Sequence, residues 1–482
     1  MKNFEFFLQQ TKEIGRVVAF HHFIAFVEGL PSLKLGEMVV TKDNQYGLTI
    51  GMENDRAEIL MINAPNLKGG DEIVRSGIPF SIPVGEALLG RVINSLSQPI
   101  DGLGPLAGDK EYRSIWREAP NITKRIKVRR FMETGVLVVD TLIPIGYGQR
   151  ELVIGDRKTG KTQFLRQVIT NQSRKGKICV YTAIGKNRAD LKTTEKYLKS
   201  WASMENVIII ATFADDPSPL IYLAPYAGVT IAEFFRDLSN DVILVLDDMT
   251  THAKIYREIS LLLGRLPGRN AYPGDIFHIH AEIMERTGNI RLINGEEASI
   301  TALPVAQTLE NDLSGYIQTN LMAMTDGHIF FDSRELQKGK FPPINTFLSV
   351  SRVGNQTKNQ LERELADFVR KQLIEYQQAQ KVATFGAELP QKTQEIIQLG
   401  EKLELLLNQT PEIFIPRGAQ IYLLGKLLFG NWRFITLLEL EKELKDFFEK
   451  YQENEFQDIE EKFTNLSSLE ELKSTIIKEE SI

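Results

Sequence analysis

The chain has a single cysteine among 482 residues, Cys179, so no internal disulfide can form. It sits in the strand-like run ICVYTAI, where a buried small hydrophobe is expected. No stretch approaches the ~18 successive apolar residues needed to cross a bilayer. The opening MKNFEFFLQQTKE is too polar and too acidic for a secretion signal. Cationic surplus is also missing: 57 Lys and Arg stand against 63 Asp and Glu. Without a basic surface, nucleic acid is not an expected partner. Histidine is scarce, with six in all. His278 and His280 alternate along FHIH as they would on one face of a strand, but no third residue completes a metal-ligand spacing. There is no internal repeat and no low-complexity linker. These absences point to a cytosolic protein, or to one docked on the cytosolic face of a membrane.

What is present is ordinary globular material, 43% apolar and 25% charged, in a chain long enough for two to four domains. Three textures follow one another. A short extension over residues 1–14 precedes β-rich runs broken by turn residues at 15–77 (GRVVAFHHFIAFV, GEMVVT, YGLTIGM, AEILMI), spaced as in a small closed β-barrel. Over 78–358, apolar strands alternate with amphipathic helices. KICVYTAI, NVIIIATF and DVILVLDD are continuous apolar runs, as parallel strands covered on both faces require. From 359 to 482 the apolar spacing of three and four predicts a helical bundle. The last 42 residues carry 13 acidic against 6 basic side chains, a composition expected of a solvated helical face.

Residues 155–162 read GDRKTGKT. Glycines at 155 and 160 let the backbone turn successive N–H groups inward around a polyphosphate. Lys161 supplies a mobile charge for the β and γ oxygens, and the Thr162 hydroxyl is a ligand for Mg²⁺. ELVIG before the loop is an apolar strand, and TQFLRQVI after it begins a helix whose N-terminal dipole favours anions. The expected phosphate-binding residues are Gly155, Asp156, Arg157, Lys158, Thr159, Gly160, Lys161, Thr162 and Gln163. DVILVLDD ends in two aspartates at the carboxyl end of a strand, where ligands of open α/β sheets lie. Asp247 is read as support for the Mg²⁺ held by Thr162, against the plainer reading of a helix cap. Arg352, in LSVSRVG, is open on spacing alone between a surface residue and a catalytic one.

VDTLIPIGYGQRELVIGDRKTGKTQ (139–163) closely resembles the segment around this loop in the α subunit of F-type ATP synthases. The likeness continues through VGEALLGRVINSLSQPIDGLGP, IYLAPYAG, LLLGRLPGRNAYPGDIF, SGYIQTNLMAMTDGHIF and INTFLSVSRVG, covering roughly residues 15–385. It implies a central RecA-like P-loop domain between barrel and bundle, binding ATP or ADP with Mg²⁺. It also implies a hexameric ring alternating with β-type catalytic subunits around a γ-type shaft. Beyond the ring it implies a peripheral stalk and a membrane ion-channel sector, with the chain peripheral to the membrane. Arg352 matches the family arginine that reaches into the neighbouring β subunit's site. Lys186 stands where catalytic subunits carry glutamate and α subunits glutamine, so little turnover is expected at this chain's own loop.

Several positions depart from the family pattern. Phe341 replaces an arginine near the base, Lys158 replaces a glutamine in the loop, and Asn270 replaces a glutamate facing the shaft. Two family glutamines fall loosely at Asn408 and Thr410. These departures leave two alternatives open: an α-like subunit driving another membrane-attached machine, and a structural ring subunit whose pocket holds no nucleotide.

Overall fold

The computed structural model describes residues 3–53, 56–63, 66–108, 110–383, 390–452 and 457–480. The chain divides into two compact units. One holds residues through Lys127 with Ser173–Thr308 and Asp312–Thr325; the other holds Val128–Gln172, Leu309–Asn311 and the chain from Asp326 on.

The first unit begins with the helix Phe4–Thr11, capped by the Asn3 side chain, with Phe4 and Phe7 buried. Six strands then close an antiparallel barrel: Ile14–His21, Ile24–Glu28, Glu37–Thr41, Tyr46–Glu53, Arg56–Met61 and Glu72–Pro79. Closure leaves no open edge. The run GRVVAFHHFIAFV is a hairpin, turned at His22 in the left-handed region (φ 57°). Val17, Ala25, Val27, Val39, Ile59 and Ile73 fill the interior.

The same unit carries the strands Val92–Ile93, Ile178–Lys186, Val207–Phe213, Val242–Asp247 and Glu297–Gln307. They pair in parallel, with Val242–Asp247 between Glu297–Gln307 and Ile178–Lys186, and with Val207–Phe213 outside the latter. Their apolar runs are buried without alternation because helices cover both faces. Cys179 is fully buried among them. Arg286, 2% exposed, is held there by both carboxylate oxygens of Glu233 (2.8 and 3.1 Å) and by the Ile115 carbonyl.

The second unit contains the strands Glu151–Gly155 and Gly327–Phe331, paired in parallel, with Val350–Ser351 antiparallel at the edge. Of LSVSRVG, only Val350 and Ser351 are strand. Its helical part runs through Gln360–Ala383, Gln391–Leu407, Arg417–Phe429, Leu437–Gln452, Gln457–Thr464 and Leu469–Glu480. The acidic tail also buries an apolar stripe, including Leu444, Phe463, Leu472 and Ile476. No helix among the described residues is long and apolar enough to cross a membrane.

FHIH is helix, not strand. It lies in Ile276–Glu285, where Ile276, His280, Ile283 and Met284 form the buried stripe at helical spacing. His278 and His280 therefore point apart: His278 is exposed and pairs with Glu282 four residues on (3.0 Å). His280 is fully buried against His252 (Nδ1 to Nε2, 3.2 Å), whose other nitrogen meets the Tyr222 carbonyl (3.1 Å). Burial pushes His252 down to about 4 and His280 well below the usual histidine range. Both are thus neutral in the fold but protonate readily once unfolded. Their contribution to stability is complete above pH ~6.5 and is lost as pH falls toward ~4. Thermal melts of the wild type should drop more steeply between pH 7 and 5 than those of a His252→Phe, His280→Leu double variant. Parallel curves would remove this pair as the cause.

Candidate functional site

The phosphate-binding loop lies in the second unit. Gly155 ends its strand opposite Phe331, and a Cβ there would meet the Phe331 carbonyl oxygen at 2.3 Å. Only glycine allows that approach. Lys158, at φ 62°, then turns the chain, the Thr159 hydroxyl donates to the Asp156 carbonyl (2.8 Å), and the helix Lys161–Arg174 begins. The buried Lys161 ammonium donates to the Gly155 carbonyl (2.7 Å) and to the Asp156 carbonyl. The Asp156 carboxylate accepts from the Asn311 backbone N–H with both oxygens (3.1 Å each), which anchors the loop. Arg157, Lys158 and Gln163 are exposed, and Gly160 and Thr162 are half-buried. Phe164 packs its ring against Phe331 (5.7 Å), seating the helix on the neighbouring strand.

The strand-end aspartates lie in the first unit. Val242–Asp247 delivers Asp247, 1% exposed, beside the end of Ile178–Lys186. Lys186 Nζ lies 2.6 Å from Asp247 Oδ1, and the Tyr181 hydroxyl donates to Oδ2 (2.9 Å). Burial works against the charge of Lys186, but Asp247 and Asp248 outweigh it and hold the ammonium above the usual lysine value. Removing one partner of such a buried pair costs about 3–5 kcal/mol. Gly185 shapes the exit of Lys186, with φ 59° and its N–H on the Thr212 hydroxyl (3.0 Å). Asp248 caps the following helix through the Thr251 N–H (2.6 Å) and accepts from the Gln307 side-chain amide. Cap and acid are thus two adjacent residues with separate jobs.

Arg352 is exposed, at the edge of the second unit. Its backbone N–H donates to the Asp326 carbonyl (3.0 Å), and the Asp326 carboxylate grips Arg150 (2.8 and 3.1 Å). Burial pushes the nearby Glu151 carboxyl well up, opposed by a hydrogen bond from Gln149 and by the charge of Arg352. The guanidinium therefore projects from a pinned backbone.

Phe341 is 47% exposed and lines a cavity of about 70 Å³ with Val138, Pro342, Ile344, Leu373 and Tyr376. Asn408 spends its side-chain oxygen on the Phe341 N–H (2.8 Å), and Gln409 donates its N–H to the Phe341 carbonyl (2.7 Å). The Gln409 side chain is buried and ties Gly135 to Leu137. Sequence reasoning passed over Tyr181, Gln307 and Gln409. Each is an ordinary residue in its own segment and gains meaning only from a distant partner.

The nucleotide-binding domain model of the ATP synthase alpha/beta family matches residues 135–351. ATP synthase subunit alpha 1 of Mycoplasmopsis pulmonis (strain UAB CTIP) is 41% identical over 413 residues, covering 85% of this chain and 78% of the relative. ATP synthase subunit alpha of Caldanaerobacter subterraneus subsp. tengcongensis is 40% identical over 410 residues, covering 85% and 80%. ATP synthase subunit alpha of Lactobacillus helveticus (strain DPC 4571) is 37% identical over 442 residues, covering 91% and 87%.

Gly155→Ala forces a methyl against a backbone oxygen that cannot rotate away. A loss of about 1–3 kcal/mol is expected from that overpacking, read as a lower urea midpoint. An unchanged midpoint would show that the strand end gives way more easily than its geometry indicates.

Proposed function

Starting from a chain that belongs to the ATP synthase alpha/beta family, among its alpha subunits, we propose that it is a nucleotide-binding, non-catalytic ring subunit that lends Arg352 to a neighbouring catalytic site. The observation that carries the non-catalytic reading is the Lys186–Asp247 pair. A water-activating base must accept a proton, and an ammonium held on a buried carboxylate has none of that capacity. The loop keeps the features of a polyphosphate cradle: a glycine forced by close approach, a buried lysine and a helix N-terminus.

Gly155 through Gln163 hold the phosphates of ATP or ADP in this reading, and Phe341 offers a ring for the base. The Thr162 hydroxyl suits Mg²⁺. Asp247, expected beside that ion, does not fit it, since the carboxylate already carries an ammonium. Arg352 acts in trans. A guanidinium entering a β-type subunit's site stabilises charge spreading over the transferring phosphoryl group without reorganising. The ring alternates this chain with β-type subunits around a γ-type shaft, at the cytoplasmic face of a membrane. There it couples ATP turnover to rotation, with a peripheral stalk and a proton-conducting sector completing the machine. Within it, residues 1–14, 15–77, 78–358 and 359–482 serve as extension, crown, nucleotide-binding and shaft-side segments.

Arg352→Ala should lower turnover of the assembled complex by about 10³-fold or more while the ring still assembles on gel filtration. Turnover near normal in an intact ring would defeat the trans role. The isolated chain should bind ATP with little hydrolysis, and Lys161→Ala should weaken that binding at least about tenfold. Rapid hydrolysis by the purified chain alone would defeat the non-catalytic reading.

A further inference from the structure

The backbone that carries Arg352 is braced by two polar side chains, Gln149 and Glu151, both fully buried in the second unit. Glu151 stands opposite Gly327 in the ladder, and Gly327 stands opposite Ser351, so the three form one row across three strands. The middle place must be glycine, because a Cβ there would meet the Val350 carbonyl oxygen at 2.2 Å and Glu151 Oε2 at 2.5 Å. Gln149 links the outer two. Its Nε2 donates to Glu151 Oε2 (2.7 Å) and to Ser351 Oγ (3.0 Å), while its Oε1 accepts from the Gly146 N–H (2.9 Å). The Ser351 hydroxyl in turn donates to the Pro144 carbonyl (2.6 Å) and accepts from the Gly354 N–H (3.2 Å). Arg352 is the next residue along.

A carboxyl at 151 is more than this scaffold needs, since an amide oxygen would accept from Gln149 equally well. The other oxygen of Glu151, Oε1, is buried without a partner. A buried acid with a single hydrogen bond is favoured in its neutral form. Burial promotes that form and so does the charge of Asp326, against the Gln149 hydrogen bond and the charge of Arg352. Ionised, Glu151 would set a bare negative charge near the Arg352 guanidinium.

Resting on the trans role read for Arg352 above, we propose that Gln149 and Glu151 are positioning residues that aim this arginine, through Ser351, at the neighbouring catalytic site. Neutral Glu151 holds the Gln149 amide, and Gln149 holds the Ser351 hydroxyl. Ser351 then fixes the turn between Pro144 and Gly354 from which the guanidinium extends. When Glu151 gives its proton to solvent, Oε1 attracts the guanidinium and competes with the neighbouring site for it. His328 also feels the charge of Arg352, but burial holds it below the usual histidine range, so it stays neutral as pH rises above 7.

The test is ATP hydrolysis by the assembled complex, with ring assembly checked by gel filtration. Glu151→Leu removes the acceptor while filling its space, and should lower kcat at least about tenfold with KM little changed. Glu151→Gln keeps acceptor and shape, and should hold kcat within about twofold of wild type at neutral pH. As pH rises, wild-type kcat should fall relative to Glu151→Gln, which has no proton to lose. A role in packing alone would not separate those two profiles. Full turnover in Glu151→Leu, or parallel profiles for wild type and Glu151→Gln, overturns the inference and leaves the trans role standing. Near-normal turnover in Arg352→Ala overturns the trans role, and this inference with it. Glu151→Gln is isosteric, so poor folding of Glu151→Leu leaves the comparison of profiles decisive.

Discussion

A carboxylate taken out of water must be given a counter-charge, and the first unit is arranged around meeting that demand at Asp247. The acid ends a strand whose six residues are all buried, so solvent cannot serve it. Lys186 and Tyr181 do so instead, from one neighbouring strand. Their geometry in turn needs the register shift, the left-handed Gly185 and the Thr212 hydroxyl that holds its N–H. The next residue, Asp248, starts the helix that carries His252 into the buried histidine pair. One ion pair thus sits where the strand ends and the helix start meet.

The loop answers a different constraint. Its strand runs beside Gly327–Phe331 so closely that position 155 admits no side chain, and its acid, Asp156, is occupied with the Asn311 backbone. Asp156 therefore holds the loop's shape, leaving Lys161 and the backbone N–H groups as the parts suited to phosphate. Arg352 shows the same separation of tasks. Asp326 fixes its backbone and, through its carboxylate, Arg150, so that the exposed guanidinium extends from a fixed base. In the proposed reading the chain binds nucleotide at one place and assists turnover at another.

The parts legible in the sequence are those whose physics is local. GDRKTGKT is contiguous, and the turn, the lysine and the helix start can be read within eight residues. VIIIATF and VILVLD announce buried parallel strands because nothing in them alternates. FHIH misled because four residues cannot distinguish a period of two from a fragment of 3.6; only Ile276, Ile283 and Met284 in the same stripe reveal the helix. LSVSRVG gives no such signal of its own extent: pairing with Gly327 and His328 uses only Val350 and Ser351.

The sequence by itself determined the order of barrel, α/β region and helices, the phosphate loop, the strand-end aspartates and the presence of a lysine at position 186. It did so because hydrophobic periodicity and turn chemistry act between near neighbours. Only the tertiary structure decided what that lysine does. Lys186 and Asp247 are 61 residues apart in the chain, and whether a cation faces solvent, a phosphate or a buried acid depends on strand order and register, which no local pattern encodes. The same holds for Gln409, which looks unremarkable in its own segment and becomes a buried tie only when the fold brings Gly135 and Leu137 to it.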